Sequence, residues 1–377
     1  MWNAGLQFGV LGPLQLIADG NPVPLGAPKQ RAVLAMLVLN RNRAVSVDSL
    51  INAVWDQNPV PAARTSIHSY VSNLRRLLGG AGYDPKKVLA SAPPGYHLSV
   101  DDTNCDLGRF ITEKNAGVHA AAAGRFEDAS SFLAAALAEW RGPVLDDLRE
   151  FAFVDTFATA LSEVKVVAQI GLAEADIACG RADAVIVRLE ALAAEHPFRE
   201  PLWAQMITAY YVAERQSDAL DAYRRLKANL AENLGIDPGP TVRALHERIL
   251  RQEPLDTKRT AQTTAMNSVV DLSPDTGTVA GRSAVAGLRG RDGKRYRLQA
   301  STRIGRRTDN DIVLDDDDVS RYHAVVIDTG SSFVISDLRS TNGVQVQGRR
   351  IRSTATLTDG DHIRIGGHEF TFEISPR

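Results

Sequence analysis

Apolar positions along the first hundred residues change their period more than once. Phe8–Ile17 alternates, Asp19-Gly20 is a turn dipeptide and Pro22–Leu25 follows, which predicts a strand, a hairpin turn and a second strand. From Pro28 the spacing becomes helical, with Val33, Leu34, Leu37 and Val38 forming one stripe over Lys29–Asn40. Ser46 is placed to cap a second helix, with Asp48 in its first turn and Leu50, Ile51 and Val54 turned inward. Pro59 and Pro61 introduce a third helix running to about Leu78, on which Ile67, Val71, Leu74 and Leu78 face a core. Val88–Ala92, Pro93-Pro94-Gly95 and Tyr96–Val100 then predict strand, tight turn and strand.

The middle of the chain is helical in pattern and rich in alanine. Ala123-Gly124-Arg125, Cys179-Gly180-Arg181 and Ala213-Glu214-Arg215 each separate two apolar helical runs, and the last two arginines lie 34 residues apart. That is the period of a tetratricopeptide repeat, a helix pair that completes its core by stacking on its neighbours. Trp203, Met206, Tyr210, Ala219 and Tyr223 fall at the packing positions of such a unit. Residues 254–285 lose this periodicity and carry six threonines, so a flexible linker is expected there. From about Ala286 short strands alternate with turn dipeptides such as Asp292-Gly293, Asn342-Gly343 and Asp359-Gly360, the pattern of an all-β sandwich. Four segments follow: 1–102, 103–253, a threonine-rich linker 254–285, and 286–377.

The length of 377 residues agrees, since a single core seldom serves more than about 200. Residues 1–100 hold nine Lys/Arg against four Asp and no Glu, whereas 101–252 hold 16 basic and 24 acidic groups. A basic first third beside an acidic middle points to a polyanion as partner of the first third. The longest apolar run, Ala32–Leu39, is eight residues, under half of a bilayer span. The N-terminus has no secretory pattern, and two cysteines at unrelated positions make neither a disulfide framework nor a metal site. A cytoplasmic location is expected, with no membrane partner.

The third helix carries the first candidate chemistry. Opposite its apolar stripe stand Thr65, Ser69, Ser72, Asn73 and Arg76, the donors and acceptors suited to base edges in a major groove. Arg64, His68 and Arg75 flank that face as phosphate contacts, and Lys86 and Lys87 stand near the hairpin. A solvated polar face is the competing reading of the helix alone. The company it keeps decides: helix pair, polar-faced third helix and hairpin make a winged helix-turn-helix. Leu11-Gly12-Pro13-Leu14, Lys29-Gln30-Arg31, Trp55 and Leu74-Arg75-Arg76-Leu77 are similar to the Streptomyces antibiotic regulatory protein family of transcription regulators. That resemblance covers residue 6 to about 252 and implies an OmpR-like α+β DNA-binding domain. It also implies an all-α, tetratricopeptide-like bacterial transcriptional activation domain ending in Leu234-Gly235-Ile236-Asp237-Pro238-Gly239, and it places Ser69, Asn73 and Arg76 among base-reading positions.

The β-rich segment carries the second. Gly305-Arg306, Ser320-Arg321-Tyr322-His323 and Ser340-Thr341-Asn342-Gly343 occur in that order at loops between predicted strands, and the set resembles the forkhead-associated (FHA) domain, a phosphothreonine reader. A phosphate with about −1.5 to −2 charges calls for a guanidinium and a hydroxyl, which Arg306 and Ser320 supply. Arg321 adds a second cation, while the resemblance implies that Thr341 lines the phosphothreonine pocket, that Asn342 pairs with the peptide backbone, and that Gly305, His323 and Gly343 are structural. Asp315-Asp316-Asp317-Asp318 stands just before this motif. A solvated loop is the favoured reading of the four carboxylates; the other is a rim that selects ligands with basic flanks.

No nucleotide-binding, zinc-protease or nucleophile-elbow signature occurs, so no catalytic residue, metal or cofactor is implied. The resulting expectation is a transcription regulator, not an enzyme. Its expected partners are double-stranded promoter DNA (direct repeats), a phosphorylated Ser/Thr protein kinase and RNA polymerase. The three-part architecture resembles mycobacterial regulators of cell-wall arabinosyltransferase genes, which implies an activator of such genes. Two rivals remain open: a phosphopeptide adaptor with only weak non-specific DNA binding, and an enzyme of unrecognised type.

Overall fold

The computed structural model describes residues 5–56, 58–272, 285–298, 301–307, 310–328, 333–338, 340–351 and 354–375. By its contacts the chain divides into two compact units, one of residues 1–112, 138–164 and 271–377, the other of 113–137 and 165–270.

In the first unit, β1 (Leu6–Gly9), β2 (Gln15–Ala18) and β3 (Asn21–Pro22) form an antiparallel sheet in that order. The single strand expected over Phe8–Ile17 is thus two strands joined by a bend. The bend is held from far away in sequence: the buried Asp106 carboxylate accepts the Val10 and Leu11 N–H groups at 2.9 Å and pairs with Arg141 at 3.0 Å. Helices α1 (Pro28–Leu39), α2 (Val47–Trp55) and α3 (Ala63–Gly80) follow, with β4 (Ala44–Ser46) between the first two. Ser46 caps α2 as expected, its hydroxyl accepting the Ser49 N–H at 3.0 Å. Ile67, Val71, Leu74 and Leu78 of α3 are all buried, each stabilising the domain by about 1.5–3 kcal/mol. A short α4 (Pro85–Val88) leads into the hairpin of β5 (Leu89–Ala92) and β6 (Gly95–Leu98), and β6 also pairs with β4 to complete a three-stranded wing sheet.

Eight helices fill the middle: α5 (Asp106–Ala122), α6 (Phe126–Ala138), α7 (Ala152–Ala178), α8 (Ala182–Glu195), α9 (Glu200–Val212), α10 (Gln216–Leu234), α11 (Pro240–Leu250) and α12 (Thr257–Leu272). Leu202, Trp203, Met206, Tyr210, Ala219 and Tyr223 lie in one core with residues of α7, α8 and α11, as the repeat pattern predicts. The expectation of a flexible linker over 254–285 needs correction in its first half, because Thr257–Leu272 is helical. Among its described side chains this helix buries Ala261 and Ala265 alone, which pack with Ala120, Ala121, Ala129, Ala175, Phe126 and Ala178. Gln262 donates to the Ala122 carbonyl at 3.0 Å. Two methyl groups are too small a signal for a periodicity argument. Residues 273–284, including Thr276 and Thr278, lie outside the described residues.

The C-terminal segment builds two sheets. One has the order β10 (Ile312–Val313), β9 (Ser301–Gly305), β11 (Ala324–Asp328), β12 (Phe333–Asp337), β15 (Thr354–Leu357). The other runs β14 (Arg349–Arg350), β13 (Val344–Val346), β16 (His362–Ile365), β17 (His368–Ser375), β7 (Val285–Gly290), β8 (Arg295–Arg297). Leu288, Ile363, Ile365 and Phe372 of one sheet share a core with Ile304, Val326, Ile335 and Leu357 of the other, which makes the expected sandwich.

Candidate nucleic-acid and phosphothreonine sites

Thr65, Ser69, Ser72 and Arg76 recur on α3 at intervals of four, three and four residues, so they share one side of the helix, with Asn73 beside them. Thr65, Ser69, Ser72 and Arg76 are exposed and Asn73 is half-buried. Ser69 turns its hydroxyl back to the Thr65 carbonyl at 3.0 Å, as serines inside helices do. Arg76 has no hydrogen bond or ion pair among the described residues. The polar side expected from the spacing is therefore present on α3 and open to solvent.

Its flanks differ from expectation. Arg64 is ion-paired with Asp48 on α2. Arg75 donates from Nε to the Leu89 carbonyl at 2.9 Å and from Nη2 to Ser91 Oγ at 3.0 Å, and its guanidinium lies 5.6 Å from the Tyr96 ring centre. His68 Nδ1 and the Tyr96 hydroxyl share a hydrogen bond of 2.5 Å. Arg75 and His68 thus fasten α3 to the wing, and neither is an unengaged phosphate contact. Lys86 and Lys87 are exposed on α4, at the end of the hairpin remote from its Pro93-Pro94 turn, with Asp84 accepting the Lys86 N–H at 3.0 Å. Sequence spacing gave no sign of the Arg75 and His68 contacts, because the partners belong to a hairpin whose approach to α3 is set by the tertiary fold.

The second site gathers three loops. Arg306 follows β9, Ser320 and Arg321 precede β11, and Thr341 and Asn342 precede β13. The Thr341 N–H donates to Ser320 Oγ at 3.1 Å, with the two hydroxyls 3.5 Å apart, and the Arg306 N–H donates to the Ser320 carbonyl at 3.1 Å. His323, fully buried, accepts the Ser320 N–H at Nδ1 (3.0 Å), so its Nε2–H donates to the Gly343 carbonyl at 3.1 Å. One imidazole thereby ties the two loops together from beneath. The two glycines serve geometry. A Cβ on Gly305 would stand 2.4 Å from the Arg321 carbonyl oxygen, and Gly343 has φ +75° with the Arg350 guanidinium beside it. Arg321 is exposed, and its guanidinium has no partner among the described residues.

The acidic run is solvated at Asp315, Asp317 and Asp318, as the favoured reading expects, and it also touches two of these loops. Arg306 is ion-paired with Asp317, which is itself almost fully exposed. Asn342 donates from Nδ2 to the Asp318 carbonyl at 2.9 Å and lies 3.5 Å from its carboxylate. Asp316 accepts the Asp318 N–H at 2.9 Å and the Gly367 N–H at 3.1 Å, and these two bonds hold its carboxyl below the usual carboxylate range. Asp315 is exposed. Asn310 was not foreseen: its amide donates at 2.9 Å to both the Arg307 and Arg321 carbonyls, joining the Arg306 loop to the Ser320 loop. Nothing in sequence separates it from an ordinary turn asparagine.

Three known domain families match this arrangement. Residues 20–98 match the C-terminal domain of transcriptional regulatory proteins, residues 105–250 the bacterial transcriptional activator domain, and residues 302–366 the FHA domain. The chain is 67% identical over 372 residues to the transcriptional regulatory protein EmbR of Mycobacterium tuberculosis, an alignment covering 98% of this chain and 96% of that one. It is 54% identical over 252 residues to the transcriptional regulatory protein MoaR1 of the same organism, covering 67% of this chain and 81% of MoaR1. The solved structure of M. tuberculosis EmbR in complex with a low affinity phosphopeptide superposes with a TM-score of 0.96 at 65% identity, over 100% of this chain and 99% of the other.

Proposed function

The chain belongs to the EmbR family of transcriptional regulators, and from that premise we propose that α3 reads promoter DNA while the loops around Ser320 dock a phosphothreonine of a Ser/Thr kinase. Asn73 and Arg76, with Thr65, Ser69 and Ser72, make the base contacts; Arg64, Lys86 and Lys87 hold backbone phosphates. Arg75 contributes through the wing it fixes. At the other site Arg306, Ser320 and Arg321 take the phosphate, Thr341 lines the pocket and Asn342 engages the peptide backbone, while Gly305, His323 and Gly343 hold the loops. The helical segment 103–253 recruits RNA polymerase, and the protein acts in the cytoplasm without chemistry of its own. Cell-wall arabinosyltransferase genes, activated through direct repeats in their promoters, are the proposed targets.

The observation that supports this most is the single imidazole of His323, which brings Ser320 and Gly343 to one point beside Thr341 and Asn342. A kinase docked there gains a high effective concentration over the regulator's own threonines. The test is phosphate incorporation and operator binding for wild type and Asn342→Ala with the same kinase. Loss of both in the variant is the expected result, and undiminished phosphorylation would remove recruitment as the role of the site. A second reading, a phosphopeptide adaptor, draws on the pairing of Arg64 with Asp48 and the engagement of Arg75, which leave few cations for DNA. It requires equal affinity for operator and random DNA, with a steep loss on adding salt.

A further inference from the structure

The acidic run Asp315–Asp318 has no part in that reading of the phosphate pocket, yet it touches two of the side chains assigned to the ligand. Asp317 is paired with the Arg306 guanidinium, and Asp318 holds the Asn342 amide through its carbonyl oxygen. Asp316 is fully used inside the loop, accepting two backbone N–H groups and lying 3.5 Å from His368 Nε2. It therefore fixes the loop to the Gly366-Gly367 turn and keeps its neighbours at the pocket. The run cannot swing away without breaking those bonds.

A carboxylate on the phosphate-binding arginine has two consequences for a ligand. A dianionic phosphate with three acceptor oxygens outcompetes a single exposed carboxylate for Arg306, because Asp317 is solvated and a solvated surface pair is weak. Once released, Asp317 remains covalently within a few ångströms of the bound phosphate, beside Asp315 and Asp318. The phosphopeptide then meets a row of like charges, and the position of lowest energy for that row is against cations. Only a ligand carrying Lys or Arg next to the phosphothreonine supplies them.

We propose that Asp317 and Asp318 are specificity-determining residues of this pocket: they occupy Arg306 and Asn342, and after displacement they select phosphothreonine peptides flanked by basic residues. The proposal rests on the phosphothreonine reading above and adds the charge of the partner. It differs from a general electrostatic effect, since Asp315 carries the same charge in the same loop without touching either ligand-binding side chain.

The test uses the full chain and three peptides with one phosphothreonine each, flanked on both sides by lysine, alanine or glutamate, titrated by fluorescence anisotropy alongside their unphosphorylated forms. Wild type should bind the lysine-flanked peptide about tenfold more tightly than the glutamate-flanked one, the size of two or three screened ion pairs. Asp317→Asn should tighten the alanine-flanked peptide by about two- to fivefold, the strength of the pair removed, and shrink the flank preference. Asp315→Asn should shrink the preference slightly and leave the alanine-flanked affinity unchanged. An Asp317→Asn protein identical to Asp315→Asn with the alanine-flanked peptide, or one keeping the full flank preference, would overturn the proposal. Equal binding of phosphorylated and unphosphorylated peptides would instead bring down the underlying phosphothreonine reading, and the proposal with it.

Discussion

Arg76 on α3 and Arg306 after β9 are both assigned to phosphate-rich partners, yet their surroundings are opposite. Arg76 has no partner among the described residues, whereas Arg306 is bound to Asp317. The neighbours reverse the order: Arg75, next to Arg76, is consumed by the wing, while the guanidinium of Arg321, next to Ser320, has no partner among the described residues. A base-reading arginine gains from being bare, because the correct base edge must repay its desolvation and any internal partner would blunt discrimination between bases. A phosphate-reading arginine serves a ligand of much higher charge, so an internal carboxylate lowers affinity without removing it and screens out weaker anions. In the proposed roles, one residue type would yield sequence discrimination in one place and charge-threshold discrimination in the other.

The contrast is most easily broken beneath the phosphate site. His323→Ala leaves the Ser320 N–H and the Gly343 carbonyl unpaired in a buried place and should cost roughly 2–4 kcal/mol in denaturant unfolding of the full chain. Unchanged stability would mean that the loops are organised by other contacts. Arg306→Ala should weaken a phosphothreonine peptide by about 10- to 100-fold, in keeping with charge-assisted bonds worth about 1.5–3 kcal/mol, while unfolding stays near wild type because its pair with Asp317 is exposed. Arg76→Ala or Asn73→Ala should cost about 1–3 kcal/mol on the operator and little on random DNA. Equal losses on both for Asn73→Ala would take it out of the base-reading set. Arg75→Ala should act through the wing, weakening operator and random DNA alike by about 1 kcal/mol, the value of a lost hydrogen bond. The smallest effect belongs to Lys86→Ala or Lys87→Ala, which should lower the salt dependence of DNA binding by about one unit of slope in a logarithmic plot.

What was legible in sequence was whatever repeats or stands in a fixed order. The stripe Ile67–Val71–Leu74–Leu78 declared the core and, by subtraction, the exposed polar side of α3. The three loop motifs from Gly305 to Gly343 declared the FHA domain and the loops that meet around Ser320. What was not legible depended on partners distant in sequence. Asp106 bends the chain at Val10 and Leu11 across 96 and 95 residues, so alternation over Phe8–Ile17 looked like one strand. The helix Thr257–Leu272 carries threonines whose hydroxyls fold back onto its own carbonyls, as Thr260 does to Asp256 at 2.8 Å and Thr263 to Arg259 at 2.8 Å. That back-bonding makes threonine tolerable in a helix without favouring one, so composition read as linker what the packing of Ala261 and Ala265 and the Gln262 bond hold as a helix. The contacts of the acidic run were hidden for a third reason: four identical residues carry no internal pattern, and only the fold distinguishes Asp316, Asp317 and Asp318.

The bonds from Arg75 and His68 to the wing reach beyond stability. A helix and a hairpin joined at Leu89, Ser91 and Tyr96 present the duplex with two probes at a spacing that the protein cannot adjust. Any mismatch between that spacing and the groove geometry of a given operator must be absorbed by bending or twisting of the DNA. The elastic cost then varies with the stacking of base pairs that neither probe touches, least at pyrimidine–purine steps and most in stiff A-tracts. Promoters bound by this protein should accordingly share flexible steps between the two contact points, a bias visible in selected fragments and weakened when Arg75→Ala loosens the hairpin.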